Sequence, residues 1–258
     1  VLSWAERGVV APWTGRFGAA TDGAIAPAAD GDERWVGCPG MSALGRMLAE
    51  DLDLRLSTRV APPERASDGW RLVDDAGTPL GRFDRVLISA PAPQAADLLA
   101  GAPVLAAQAR AAGFAPCWTV IAAFAEPLAL PWDGLFINAG PLGWVARDSA
   151  KPGRCGEVWV LHGAPDWSRA QVEDSPESVT RTLLAALGDV VDGPLAELLW
   201  HQTHRWLFAR SEEPLGAGCL WDGALGIGAC GDWCADGRIE GAWLSGEALA
   251  GRVLAAID

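Results

Sequence analysis

The spacing of apolar positions changes along this chain, and the changes mark out its elements. Trp4 to Gly8 closes a short helix, and Val9-Val10-Ala11-Pro12-Trp13 and Arg16-Phe17 read as extended chain. Asp22 to Asp32 is rich in Gly, Ala and Asp and reads as a loop. Gly37 and Pro39-Gly40 predict a turn. Ser42 then stands as the N-cap of a helix whose stripe is Leu44, Met47, Leu48 and Leu52. From Leu54 the period switches to two: Leu54 to Val60 alternates, as does Gly69 to Asp74 ahead of the turn Asp75-Ala76-Gly77, and Pro79 to Phe83 offers a third strand. Asp84 to Ser89 holds a continuous apolar run, Val86-Leu87-Ile88, of the kind found in buried parallel strands.

The second half follows the same logic. Gln94 to Ala112 is Ala/Leu-rich and predicts a helix. Trp118–Phe124, Leu135–Asn138, Trp144–Arg147, Glu157–His162 and Leu198–Phe208 predict a mostly antiparallel sheet. Pro176 to Leu187 is a helix with Pro in its first turn, and Ser149 to Gly156 is a loop. A short apolar strand, Leu225 to Gly231, precedes a final helix running to about Ile257. Its stripe is Ala242, Ser245, Leu249, Val253 and Ile257. The expected fold class is α/β (α+β). A parallel sheet assembled from two pieces of sequence carries an inserted mixed or antiparallel sheet. Boundaries are expected at 1–32 and 104–217 for the inserted domain, and at 33–103 and 218–258 for the sheet domain.

Composition narrows the function. The 258 residues, half of them hydrophobic, suffice for a large core. A formal net charge of −13 argues against nucleic acid and against anionic membranes as partners. No apolar run reaches the length of a membrane span. The six cysteines are scattered, and with only three histidines they form no metal-ligand spacing. No metal is therefore expected, and reduced thiols in a cytoplasmic protein fit the pattern best.

The candidate chemistry gathers at the C-terminus. Gly231-Asp232 ends the last strand, and Glu240-Gly241-Ala242-Trp243-Leu244-Ser245-Gly246 opens the final helix with little side-chain bulk. Such a start presents backbone N–H groups and the positive end of a helix dipole. Asp232 would repel phosphate but accept a hydrogen bond from a sugar or ribityl hydroxyl. Gly226, Gly228 and Gly231 satisfy Gly-x-Gly-x-x-Gly. A polar loop follows them where the dinucleotide fingerprint requires a helix, so the match is rejected. The glycines are expected instead to let the strand pass close to a ligand.

These residues resemble the C-terminal flavin motif of the amine-oxidase-like FAD flavoproteins. Trp35-Val36-Gly37-Cys38-Pro39-Gly40-Met41, His204-Arg205-Trp206 and Gly231-Asp232-Trp233 are most similar to the renalase-like branch. The resemblance implies an FAD cofactor contacted by Gly40, Met41, Val60 (through its backbone, to the adenine), Pro91, Gly231, Asp232, Arg238, Ile239, Glu240, Gly241 and Ala242. It implies oxidation of a dihydronicotinamide with oxygen as acceptor, and the same superfamily oxidises amines. On a strand, His204 and Trp206 share one face and Arg205 the other. His204 then suits a hydrogen bond to substrate, Arg205 a phosphate or carboxylate, and Trp206 a pocket wall. A strand with a satisfied histidine and a core tryptophan is equally compatible. The superfamily's N-terminal Gly-x-Gly-x-x-Gly unit has no counterpart here. It is expected upstream or on a second chain; the alternative is a non-catalytic remnant or partner-binding subunit.

Overall fold

The structure is a computed structural model that describes residues 1–21, 24–28, 33–191 and 193–256. In chain order its elements begin with α1 (Leu2–Glu6), β1 (Val10–Pro12), β2 (Phe17–Thr21), β3 (Ala24–Pro27), β4 (Trp35–Gly37) and α2 (Ser42–Leu48). They continue with β5 (Glu64–Ala66), β6 (Gly69–Val73), β7 (Pro79–Phe83), β8 (Val86–Ile88), α3 (Ala92–Leu98), α4 (Pro103–Arg110) and β9 (Gly113–Phe124). Then come β10 (Gly134–Ala139), β11 (Leu142–Arg147), β12 (Val158–Gly163), α5 (Pro165–Ala170), α6 (Pro176–Gly188), β13 (Leu198–Glu213), β14 (Leu220–Asp222), β15 (Ile227–Ala229) and α7 (Ile239–Leu254). The chain divides into two compact units, residues 1–54 with 116–207 and residues 55–115 with 208–258.

The first unit is built on a seven-stranded sheet in the order β13-β9-β12-β11-β10-β2-β3. From β9 to β3 the neighbours are antiparallel, except that β10 runs parallel to β2. Burial alternates strictly along β12, so alternate side chains enter the core. There Val120, Leu135, Trp159 and Leu161 meet Val179, Leu183 and Leu187 of α6, all fully buried. Ser175 caps α6 by accepting from Ser178 N at 3.2 Å, and Pro176 fills its first turn. A separate two-stranded ribbon pairs β1 with β4.

The second unit holds two three-stranded sheets, β14-β15-β8 and β5-β6-β7. Their core is Ala-rich where α3 and α4 pack, with Trp70, Leu99, Ile227 and Trp233 as its large members. Trp70 is fully buried, and its Nε1 donates to Leu225 O at 2.8 Å. Arg65 Nη1 donates to the same carbonyl, tying the meander to the entrance of β15.

The expected parallel pairing is present: Ile227, Gly228 and Ala229 lie opposite Val86, Leu87 and Ile88. Several other expectations are corrected. The stretch 54–60 is no strand. Ser57 adopts φ 55°, which breaks extended chain, and only Val60 keeps a bridge, to Asp74. The meander's first strand is β5 instead. The helix expected over 94–112 is two helices, because Gly101 and Pro103 interrupt it. Ser42 is the first helical residue, with Met41 as the N-cap, and Ser42 Oγ accepts from Arg46. On that helix Ala43 and Met47 are buried and Leu48 is exposed; Leu52, expected on its stripe, lies beyond its end and is exposed.

The loop expected over 22–32 contains β3, an exposed edge strand; its residues 22–23 and 29–32 lie outside the described residues. The last helix ends at Leu254, and the expected Ile257 lies outside the described residues. Its buried stripe is Gly241, Ser245 and Leu249, so Gly241 replaces Ala242.

The observed boundaries fall at 54/55, 115/116 and 207/208 rather than 32/33, 103/104 and 217/218. Pairing explains the shifts. Residues 35–37 join β1, and α4 packs on α3.

Candidate functional site

In the second unit the site grows from the C-terminal ends of β8 and β15. Chain leaves β15 through Cys230, whose N donates to Ile88 O at 2.9 Å. Gly231 N donates to Ser245 Oγ at 3.1 Å, so this serine fastens the strand end to α7. A short 3-10 turn, Asp232–Cys234, follows. Within it Trp233 is buried and donates from Nε1 to Ala90 O at 3.1 Å, joining the loop after β8 to the loop after β15. Asp232 accepts through its backbone carbonyl from Ala235 and Gly237 N. Its half-buried carboxylate has no partner among the described residues.

The helix start differs from the expectation. No side chain caps α7 at Arg238, so its first N–H groups stay available. Yet the chain brings its own carboxylate there: Asp236 Oδ1 accepts from Arg238 N at 3.2 Å and would lie 2.0 Å from a Cβ placed on Gly241. Gly241 is therefore glycine because Asp236 sits against it. A second anion at this helix start would be repelled, whereas a neutral carbonyl would not. Ile239 and Ala242 are exposed beside it, as is Glu240.

The glycines of Gly226-x-Gly228-x-x-Gly231 are likewise explained by the protein. Added Cβ atoms would meet Asp84 O at 2.8 Å, Leu220 O at 2.5 Å and Trp233 Nε1 at 2.5 Å respectively. Close packing of β15 against protein replaces the close approach to a ligand expected from the sequence.

Beside β8 lies a groove of about 370 Å³, lined by Val60, Pro63, Leu72, Leu98 and the run Val86–Ala90. Ala61 N donates to Val73 O and Asp75 N to Arg59 O. The Val60–Asp74 bridge is thus of the non-hydrogen-bonded kind, and Val60's own N–H and C=O turn away from Asp74. Pro91 sits at the groove's end as the N-cap residue of α3, its carbonyl accepting from Ala95 N. One unit therefore contains Val60, Pro91, Gly231, Asp232 and residues 238–242.

The remaining expected site residues belong to the first unit. Gly40 O lies 2.5 Å from where a Cβ on Gly37 would be, so the turn is folded hard against β4. Gly37 N donates to Met41 Sδ at 3.3 Å, and Met41 remains exposed. On β13, an edge strand, His204 and Trp206 share the exposed face, with ring centroids 4.2 Å apart and edge to face. Arg205 points the other way, donates to Val172 O and lies 5.8 Å over the Trp118 ring. That guanidinium is engaged by its own chain, against the expected role on a substrate phosphate or carboxylate.

Sequence reasoning missed a charged cluster in the stretch taken as a loop. Lys151 and Arg154 both bond Asp148 Oδ1, Lys151 at 2.9 Å, and both side chains are only 14% exposed. Lys151 Nζ also lies 5.0 Å over the Trp13 ring. The same loop packs on the Cys38–Pro39 turn, with Cys38 Sγ 3.8 Å from Pro152 O. His162, mostly buried, is held below its ordinary pKa first by burial and then by Lys151. Three charges at spacings of three residues were the available signal.

A small mixed sheet assembled from two pieces of sequence and a large separate sheet define a two-unit α/β fold. The chain belongs to the family described as flavin containing amine oxidoreductase, which it matches over residues 29–254. Solved structures are similar at low identity. A protein described as a candidate protoporphyrinogen oxidase from Exiguobacterium sp. 255-15 has 19% identity and a TM-score of 0.66, with 85% of this chain and 52% of that one covered. Cyclohexylamine oxidase from Brevibacterium oxydans IH-35A has 17% identity and a TM-score of 0.65, with 83% and 52% covered. Putrescine oxidase bound to putrescine has 16% identity and a TM-score of 0.58, with 87% and 54% covered. The chain thus spans about half the length of these structures.

The family implies FAD, and the donor set of the second unit fits it. An apolar groove lies beside a turned-out backbone edge at Val60, and beyond Gly231 come an unengaged carboxylate and an uncapped helix start. A dinucleotide flavin has a flat aromatic ring with hydrogen-bonding edges at each end, with hydroxyls and a pyrophosphate between; these three features suit the rings and hydroxyls.

Proposed function

We propose that this chain is part of an FAD-dependent oxidoreductase of the renalase-like branch, taking hydride from a dihydronicotinamide and using oxygen as acceptor. The observation that carries the cofactor half of this reading is the unengaged Asp232 carboxylate between Gly231 and the uncapped start of α7. In this reading Val60 and Pro91 receive the adenine end, and Asp232 accepts from a ribityl or ribose hydroxyl. Arg238, Ile239, Glu240, Gly241 and Ala242 present the helix start to a flavin carbonyl. Bound flavin supplies the hydride acceptor; the protein's part is to orient the substrate and keep water out. The exposed edge-to-face pair His204–Trp206 supports a planar aromatic substrate ring, His204 donating a hydrogen bond and Trp206 forming a wall. Arg205 holds that strand through Val172 and Glu173.

The Gly-rich phosphate-binding unit is proposed to come from a further segment or a second chain. Its support is the half-length coverage of the neighbours and the edge position of β8, whose Leu87 is 49% exposed. A cytoplasmic setting accords with six free thiols. Among the described residues, no helix is long and apolar enough to cross a membrane.

A second reading, amine oxidation, is favoured by the family description and by neighbours named for putrescine and cyclohexylamine. Anaerobic mixing of the flavin-loaded protein with reduced nicotinamides, their ring isomers, putrescine and cyclohexylamine separates the two. Bleaching of the flavin by a dihydronicotinamide alone is expected. Bleaching only by amines replaces the first reading with the second, and no bleaching by any of them leaves the non-catalytic subunit.

Asp232→Ala is expected to weaken flavin binding by about 1–3 kcal/mol, the range for losing one charge-assisted hydrogen bond. Fluorescence titration of the released flavin measures it; unchanged affinity removes Asp232 from the site.

A further inference from the structure

We propose that Cys219 and Cys230 form a dithiol site that a hydroperoxide oxidises to a cross-strand disulfide. The ladder carries the argument. β14 pairs antiparallel with β15 as Asp222↔Ile227, Trp221↔Gly228 and Leu220↔Ala229, and Cys219 and Cys230 are the residues immediately outside that last pair on the two strands. Cys230 N donates to Ile88 O, so its N–H is turned toward β8 and away from β14. Directly opposed residues of antiparallel strands have Cα atoms about 4.5–5.5 Å apart with side chains on one face. Disulfides span Cα separations of roughly 4.4–6.8 Å.

That face is the one under α7: a Cβ on Gly228 would touch both Trp221 and Leu249. Both thiols are half-buried and free. Burial raises each, and each lies within electrostatic reach of a distinguishing neighbour. Arg252 on α7 favours the Cys219 thiolate, whereas Cys219 itself disfavours that of Cys230. Cys219, with the Arg252 guanidinium in reach, is the attacking thiol of the proposal. Its thiolate attacks one peroxide oxygen, the O–O bond breaks, and a sulfenic acid and water form on uptake of one proton. The Cys230 sulfur then attacks the Cys219 sulfur. The S–S bond forms, the S–O bond breaks, and a second water leaves with the Cys230 proton. Two thiols lose two electrons and one hydrogen peroxide becomes two waters. Cys234 is a poorer partner: it is fully buried, its thiol faces Ala229 O at 4.0 Å, and burial first of all pushes it up to about 12. The new bond would brace the strand end that carries Gly231 and Asp232.

The test treats the purified protein with hydrogen peroxide, caps remaining thiols by alkylation and maps peptides by mass, for wild type, Cys219→Ser, Cys230→Ser and Cys234→Ala. A linked peptide joining Cys219 to Cys230 is expected in wild type and Cys234→Ala, and is lost in the two serine variants. Because both thiols lie above their usual pKa, the rate should climb roughly tenfold per pH unit from neutral pH, following the thiolate fraction. A Cys230–Cys234 link overturns the proposal. So does a Cys219 that stops at sulfinic acid, or full alkylation of both thiols after peroxide. Should Cys234→Ala fail to fold, the wild-type map decides alone. None of these readouts depends on substrate turnover, so the result stands apart from the activity proposed above.

Discussion

Trp233→Ala is expected to destabilise the protein by about 3–5 kcal/mol, the usual range for deleting a buried tryptophan. Trp233 is 1% exposed and sits in the core of the second unit. The loss is not only of packing. Its indole N–H donates to Ala90 O, and its backbone carbonyl accepts from Leu215 N at 2.9 Å. Deleting the ring leaves the carbonyl of half-buried Ala90 without its donor and unfastens the loop after β8 from the loop after β15. Because Gly231 is moulded against the same ring, the position of Asp232 should loosen too. Trp233→Phe keeps most of the volume and loses the hydrogen bond, so its cost should be about 1–2 kcal/mol larger than that of an isosteric change alone. Chemical denaturation measures both. Equal stabilities for wild type and Trp233→Ala would show that this core does not depend on the ring.

Asp133→Asn should cost about 2–3 kcal/mol at neutral pH, less than a fully buried pair because Arg147 is 26% exposed. Asp133 is 8% exposed at the entrance to β10. Its Oδ2 accepts from Arg16 N at 2.8 Å and its Oδ1 from Arg147 at 2.5 Å, so one carboxylate joins the starts of β2 and β10 to the end of β11. Burial alone would raise its pKa. The Arg16 N–H and the two guanidinium charges outweigh burial and hold the carboxyl below its ordinary 3.8. The sign follows. A folded pKa depressed below the unfolded one adds stability above about pH 4, and that stability is lost as pH falls through the folded value. The gap between wild type and Asp133→Asn, followed by urea unfolding from pH 7 to 3, should therefore narrow below pH 4. A gap constant across that range would assign the cost to packing rather than to charge.

The sequence by itself determined the elements whose cause is local. The runs Asp84–Ser89 and Leu225–Gly231 read as strands and pair in parallel, with Leu87 on the open edge left 49% exposed. Period two along Glu157–His162 and the Pro at the start of 176–187 likewise act within a few residues. The shared face of His204 and Trp206 follows from strand geometry alone. Tertiary structure decided what depends on a distant partner. Leu54–Val60 alternates yet finds no strand to pair with, because Ser57 turns the chain and β5 takes the place at the meander. Gly241 looked like room for a cofactor and is room for Asp236; Arg205 looked like a ligand for substrate and is spent on Val172. Hydrophobic period reports which face is buried, but a hydrogen-bonding group's partner is chosen in space. Nothing in the spacing of Cys219 and Cys230 reveals that they stand just outside the same end of the β14–β15 ladder, which the hairpin register alone decides.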